Sequence, residues 1–130
     1  MNRRTAREKG IQALYQMDLS GAEALEAIEN VLNGDDGESS YLYDVVEGVE
    51  RNLEDIDNTI KENLEKWSFD RLAKVDRNIL RLAVYEMKQS EDVPAKVAIN
   101  EAVELAKHFS DERASKFING VLSKINKSME

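Results

Sequence analysis

Residues 91–130 read EDVPAKVAINEAVELAKHFSDERASKFINGVLSKINKSME, and this stretch decides the fold. Val97, Ala98, Ala102, Val103, Leu105, Ala106 and Phe109 recur at steps of three and four residues. So do Ala114, Phe117, Ile118, Val121, Leu122 and Ile125. That is the 3.6-residue period of helices with one buried face. Pro94, the only proline, is placed to begin the first of the two, because its fixed φ suits a first helical turn. Val93 before it is expected to be extended. Ser110 offers an N-cap for the second helix, and Asp111 and Glu112 put negative charge where the helix dipole favours it. The chain therefore ends in two packed helices, with Val97, Val103, Val121, Leu122 and Ile125 expected in the core.

Working outward, Leu72 to Met87 is apolar almost all round: Val75, Ile79, Leu80, Leu82, Ala83, Val84, Tyr85 and Met87. Such a helix belongs among the others. Its polar residues, Lys74, Arg77, Arg81 and Lys88, read as a solvated stripe. Trp67-Ser68-Phe69 marks a change of direction, with Ser68 or Asp70 available as a cap. Further back, Leu42, Val45, Val46, Val49, Leu53 and Ile56 keep the helical period, and Ile60 and Leu64 extend it. One long helix and two helices broken near Asn52 both fit. Ser39 or Ser40 caps its start, and Glu62 and Lys66 form a favourable i,i+4 pair at its end. Asn33-Gly34-Asp35-Asp36-Gly37 is a run of turn residues. Before it, Ser20 is expected to cap a helix over 21–32 that turns Leu25, Ile28 and Leu32 inward. The first helix spans about Asn2 to Leu19, with Ile11, Leu14, Tyr15 and Leu19 on its buried stripe. No segment alternates like a strand. The expectation is an all-α chain: a compact domain of about seven helices, with 1–130 as one unit.

The longest apolar run is four residues, Leu82 to Tyr85, far short of the roughly 20 that span a membrane. MNRRTAREKG has charge but no apolar stretch behind it, unlike a secretory signal. The absence of cysteine removes disulfides, thiolate metal sites and cysteine nucleophiles, and suits the cytoplasm. The net charge of −8 argues against nucleic acid only until its distribution is read. Residues 1–17 carry Arg3, Arg4, Arg7 and Lys9 against Glu8 alone. Residues 18–65 carry 15 acids against Arg51 and Lys61, and residues 66–90 carry six bases against three acids. A basic edge on an acidic protein steers a polyanion to one place. Cations also oppose the dipole at a helix N-terminus, so Arg3, Arg4 and Arg7 call for a reason other than helix stability.

No catalytic constellation emerges. One histidine and no cysteine leave only carboxylates for a metal site. His108 sits near a helix C-terminus, where a cation is favoured. Glycine-rich phosphate loops are absent, and Ser39, Ser40, Ser110 and Ser115 have no histidine partner in their sequence context. No cofactor is expected. What remains is binding: cations for phosphates, and Phe117, Tyr15 and Tyr41 as sources of base stacking. Phe117 also fits the buried stripe of the last helix.

Three runs, RRTAREKGIQALYQMDL, RLAKVDRNILRLAVYEM and DVPAKVAINEAVELAKHFSDERASKFINGVLSKI, together resemble the NusB family of transcription antitermination factors, in order and in spacing. The resemblance implies an all-α fold of two small helical bundles and a non-enzymatic role. It implies binding of boxA RNA, especially from ribosomal operons, together with the ribosomal protein NusE. It further implies assembly with NusA, NusG and RNA polymerase. On the matching positions, RNA contacts fall on Arg3, Arg4, Arg7 and Lys9 in the first helix and on Lys116, Phe117 and Asn119 in the last. The NusE-facing surface falls on Tyr15, Asp70 and Asp76. With Thr5 and Lys9 where some members carry arginine, RNA affinity without NusE is expected to be weak. Helical domains of this kind also accompany rRNA methyltransferases, but this chain has no glycine-rich cofactor loop. A homodimer is a further expectation, since some members self-associate through the RNA-binding face. The composite RNA site requires the last helix to pack beside the first.

Overall fold

The computed structural model describes residues 1–35 and 37–130 and contains, among these, seven α-helices and no strand. They are α1 (Arg3–Ser20), α2 (Ala24–Leu32), α3 (Ser40–Arg51), α4 (Leu53–Glu62), α5 (Lys74–Gln89), α6 (Ala95–Phe109) and α7 (Glu112–Ser128). A single 3₁₀ turn, Phe69–Arg71, lies between α4 and α5. Helices α1, α2 and α3 pack on one another, and α4, α6 and α7 gather around α5. These are the two small bundles. Helix α5 joins them, because it also packs against α1 and α3. Its residues 77–87 are all buried, as a helix apolar on every side requires.

Local chemistry sets the helix ends. Asn2 caps α1 by accepting from the Thr5 amide at 2.8 Å. Gly21 ends it in the left-handed region at φ 78°, which a glycine enters without a Cβ clash. Ser20 is therefore the last residue of α1 rather than the cap of α2. The first amide of α2 is satisfied from a distance, by the Glu50 carboxylate at 2.9 Å. Asn52 breaks the third hydrophobic run into α3 and α4, and its side-chain amide donates to the Gly48 carbonyl at 2.7 Å. Asp111, one residue beyond the expected Ser110, caps α7 by accepting from the Ala114 amide at 2.7 Å. Helix α4 ends at Glu62, so Lys66 lies beyond it and the expected i,i+4 pair does not form. The turn at 33–37 is present at Asn33 and Gly34; Asp36 lies outside the described residues.

Five apolar residues expected inside are outside, Tyr15 and Leu53 only just so. Leu19 and Leu25 are 62% and 55% exposed, and Val97 is 42% exposed. On α1 Ile11 and Leu14 are buried as expected, and Ala6, Arg7, Gly10 and Ala13 complete the buried face. Small residues on that face let α1 approach α5 closely, which turns Tyr15 and Leu19 toward solvent. Gly48 plays the same part on α3: a Cβ there would lie 2.2 Å from the Tyr85 ring.

The polar stripe of α5 is also not solvated. Arg77 and Arg81 are each 8% exposed. Arg77 donates twice to Asp18 of α1, at 2.7 and 3.0 Å, and Arg81 donates to both oxygens of Asp57 of α4 at 2.8 Å. Both guanidinium groups lie over the Phe69 ring, at 5.2 and 5.5 Å. Burial pushes the Asp18 carboxyl up, but hydrogen bonds from Arg77 and Asn78 and the charge of Arg81 outweigh it, so it stays below the usual carboxylate range. The pairs of Arg77 and Arg81 with Asp18 join the two bundles, and the Arg81–Asp57 pair holds α4 to α5 within the second.

Candidate nucleic-acid interface

The cations of the chain fall into two groups with opposite surroundings. The first is at the start of α1. Arg3 pairs with Asp92 at 2.7 Å and lies over the Tyr41 ring at 4.4 Å. Arg4 makes a forked pair with Glu101 of α6, at 3.1–3.2 Å. Both keep exposed side chains. Arg7 does not. It is 4% exposed and held by Glu86 of α5 at 2.9 and 3.1 Å, with Glu101 at 3.7 Å. Arg7 is therefore not a third surface arginine: it shares the Tyr41-facing side of α1 with Arg3, but lies one turn further along the helix, where Glu86 of α5 covers it. Glu86 is fully buried, and the Tyr41 hydroxyl also donates to it. Burial pushes the Glu86 carboxyl up, against the pull of Tyr41 and Arg7. Burial and the bond to Glu86 likewise push the Tyr41 hydroxyl up. Lys9 points elsewhere, to the Val31 carbonyl at 3.3 Å near the end of α2, where a cation meets the negative end of that helix.

The second group lies at the start and middle of α7. Lys116 and Asn119 are exposed and Phe117 is half-buried. Beside Phe117 stands Trp67, 56% exposed, with the two rings edge-to-face at 6.5 Å. Grooves open on either side of this aromatic pair. One, of about 530 Å³, is lined by Arg71, Asp76, Ser110 and Arg113 as well as both rings. The other, of about 350 Å³, runs between Lys66 and the α7 residues Lys116, Gly120 and Lys124. Lys66, Arg71, Arg113 and Lys116 form no ion pair among the described residues. Lys124 pairs with Glu65 at 2.9 Å.

Helix α7 packs on α4, α5 and α6, and α1 packs on α2, α3 and α5. Side chains of α6 reach α1 in the pairs Arg4–Glu101 and Glu8–His108. The last helix thus does not pack extensively on the first; α6 touches both, α7 by packing and α1 by ion pairs.

Of the residues expected to face a protein partner, Tyr15 is 37% exposed and Asp70 is exposed in the 3₁₀ turn. Asp76 is half-buried, and its Oδ1 has no hydrogen-bond partner among the described residues. Burial pushes this carboxyl up, Ser110 pulls it down, and Asp111 raises it further. A desolvated carboxylate oxygen facing a groove is an acceptor awaiting a donor. Tyr15 and Asp76 are linked through the bundle seam: Tyr15 lies one turn before Asp18, which bonds Arg77, the neighbour of Asp76.

Sequence reasoning missed Trp67 as part of the surface, since its place at a chain reversal explained it sufficiently. It also missed Asp92, Glu101 and Glu86 as partners of the arginines. Their separations of 79 to 97 residues leave no local signal. No group of three or more metal-ligating side chains is found among the described residues, and no helix is long and apolar enough to cross a membrane.

Comparison with known proteins fits this arrangement. The profile of the NusB family matches residues 4–127. The transcription antitermination protein NusB of Bacillus cereus (strain B4264) is 51% identical over 130 residues, covering 99% of this chain and all of that protein. NusB of T. maritima superposes with a TM-score of 0.89 at 38% identity, over 98% of this chain and 92% of that one. The antitermination factor NusB in a crystal structure with NusE and dsRNA superposes with a TM-score of 0.88 at 35% identity, over 97% of this chain and 96% of that one. With seven helices in two bundles among the described residues and a family match over residues 4–127, the chain belongs to the NusB family of transcription antitermination factors.

Proposed function

We propose that this chain, as one domain over residues 1–130, binds boxA-type RNA together with NusE and so joins NusA, NusG and RNA polymerase in an antitermination complex. The observation that carries the reading is the cluster on α7 of exposed Lys116 and Asn119 with half-buried Phe117, beside exposed Trp67. It offers cations without internal partners next to aromatic rings, the combination that unpaired RNA takes. Arg3 and Arg4 form a second contact. Asp92, the partner of Arg3, lies at the surface and Glu101, the partner of Arg4, is half-buried, but both arginines are themselves exposed, so RNA phosphates can compete for them. Arg7 acts through Glu86 by fixing the start of α1, and Lys9 adds charge behind it. Tyr15, Asp70 and Asp76 face NusE: a basic protein supplies the donor that Asp76 lacks. The relative crystallised with NusE and dsRNA supports both kinds of contact in one assembly. The role is that of a binding adaptor in the cytoplasm, with no chemical step.

The test is a gel-shift titration of boxA RNA and a scrambled RNA, each with and without NusE. The expected result is a preference for boxA that strengthens when NusE is added and weakens with salt. Equal affinity for the two RNAs with NusE present contradicts the reading.

A further inference from the structure

Gly120 sits in the middle of α7, where a glycine costs roughly 1 kcal/mol relative to alanine. Packing does not explain it. A Cβ at this position would meet nothing within 4 Å, and φ is not positive. The residue instead lies on the floor of the 350 Å³ groove, between Trp67 and Phe117 on one side and Lys124 on the other. A bare backbone in an open groove is what close approach of a ligand requires. Trp67 presents a costly exposed ring at the same place, 56% accessible, and meets Phe117 edge-on. Lys66, Lys116 and Lys124 stand around it with Glu65 the sole acid. Three cations against one anion, flanking two aromatic rings, complement a phosphate chain carrying planar bases.

We propose that Trp67, Phe117 and Gly120 form a stacking site for an unpaired RNA base, with Lys66 and Lys116 holding the adjoining phosphates. This rests on the RNA-binding reading above and adds Trp67, Gly120 and Lys66 to it. The base lies against the Trp67 ring, and the missing side chain at Gly120 lets it sit deep in the groove. The site takes single strands, because in a duplex the bases are stacked on one another.

Trp67 is the only tryptophan in the chain, so its fluorescence reports on the two grooves that meet at its ring. The full-length protein is titrated with a 12-nucleotide single-stranded boxA RNA and with the same RNA in duplex form. Binding is followed both by RNA mobility and by tryptophan emission. Single-stranded RNA is expected to quench Trp67 in step with the mobility shift, and the duplex is expected to leave it unchanged. W67A should weaken binding about tenfold, and W67F should restore most of it. G120A gives the sharper result, because a structural role and a binding role predict opposite outcomes. It should raise the melting temperature by about 4 °C and still weaken RNA binding several-fold. RNA that shifts without quenching, together with unaltered affinity in W67A and G120A, overturns the site and leaves the RNA-binding reading standing. No shift at all overturns both. Quenching by NusE alone, with none by RNA, assigns the groove to a protein and overturns the proposal.

Discussion

The start of α1 and the middle of α7 both carry cations, yet they are built in opposite ways. At α1 each arginine is matched by a carboxylate from a distant helix or loop: Arg3 by Asp92, Arg4 by Glu101, Arg7 by Glu86. At α7, Lys116 and its neighbours Lys66 and Arg113 have no carboxylate of their own among the described residues, and of the rings between them Trp67 is exposed and Phe117 half-buried. The first region spends its charge on holding the fold together, in a gradient that runs from exposed Arg3 to buried Arg7. The second leaves its charge for something outside. Positive charge in a sequence thus says little about binding until its counter-ions are located. A buried pair is costly to break, and an unpaired surface cation costs the fold almost nothing to keep or to lose.

The largest effect that follows is on stability. R7A leaves Glu86 buried without its cation and should cost about 3–5 kcal/mol, measured by urea denaturation. A stable R7A would remove the distinction between the two regions. D18N comes next. It weakens the charge-assisted bonds of Arg77 across the bundle seam and should cost about 2 kcal/mol near neutral pH.

Its pH dependence has a definite sign. The Asp18 carboxyl titrates below its unfolded value, so its stabilisation is present above the ordinary carboxylate range and is lost as pH falls through the depressed pKa. D18N should flatten the acid side of the stability profile. Glu86, raised by burial, works the other way: its contribution is present at low pH and is lost as pH rises through the raised value.

Smaller effects separate RNA binding from folding. R3A and R4A should each change stability by no more than about 0.5 kcal/mol and lower the salt slope of RNA binding by up to about one, read from titrations at several salt concentrations. A slope unaffected by both would mean that Asp92 and Glu101 are their permanent partners. Smallest is D70N, which should leave the melting temperature unchanged and weaken NusE binding a few-fold, most visibly at low salt. Calorimetric titration at two salt concentrations reads it.

The helices were legible because their evidence is local. The apolar periods of 97–109 and 114–125 and the all-round burial of α5 follow from neighbours in sequence. What stayed hidden depends on distant residues. Arg77 and Arg81 look like a solvated stripe until Asp18 and Asp57 arrive from other helices. Tyr15 and Leu19 continue an apolar period, but small residues at Ala6, Gly10 and Ala13 draw a different face of α1 inward. Val97 shows the same limit at the start of α6. For the site, the sequence placed Lys116 and Asn119 at the surface correctly through helical phase and family resemblance. It could not show that α6 supplies the carboxylate that holds Arg4. Trp67 went unrecognised because a chain reversal already accounted for a large residue there.

The most direct test of the contrast is the affinity of K116A/F117A for boxA RNA with NusE present, at two salt concentrations, with folding checked by circular dichroism. Affinity should fall at least tenfold, the loss should persist at the higher salt because stacking is not screened, and the salt slope should drop by about one for the missing lysine. A folded K116A/F117A that binds with the affinity and slope of the parent chain would contradict the account, and would return the RNA site to the arginines of α1.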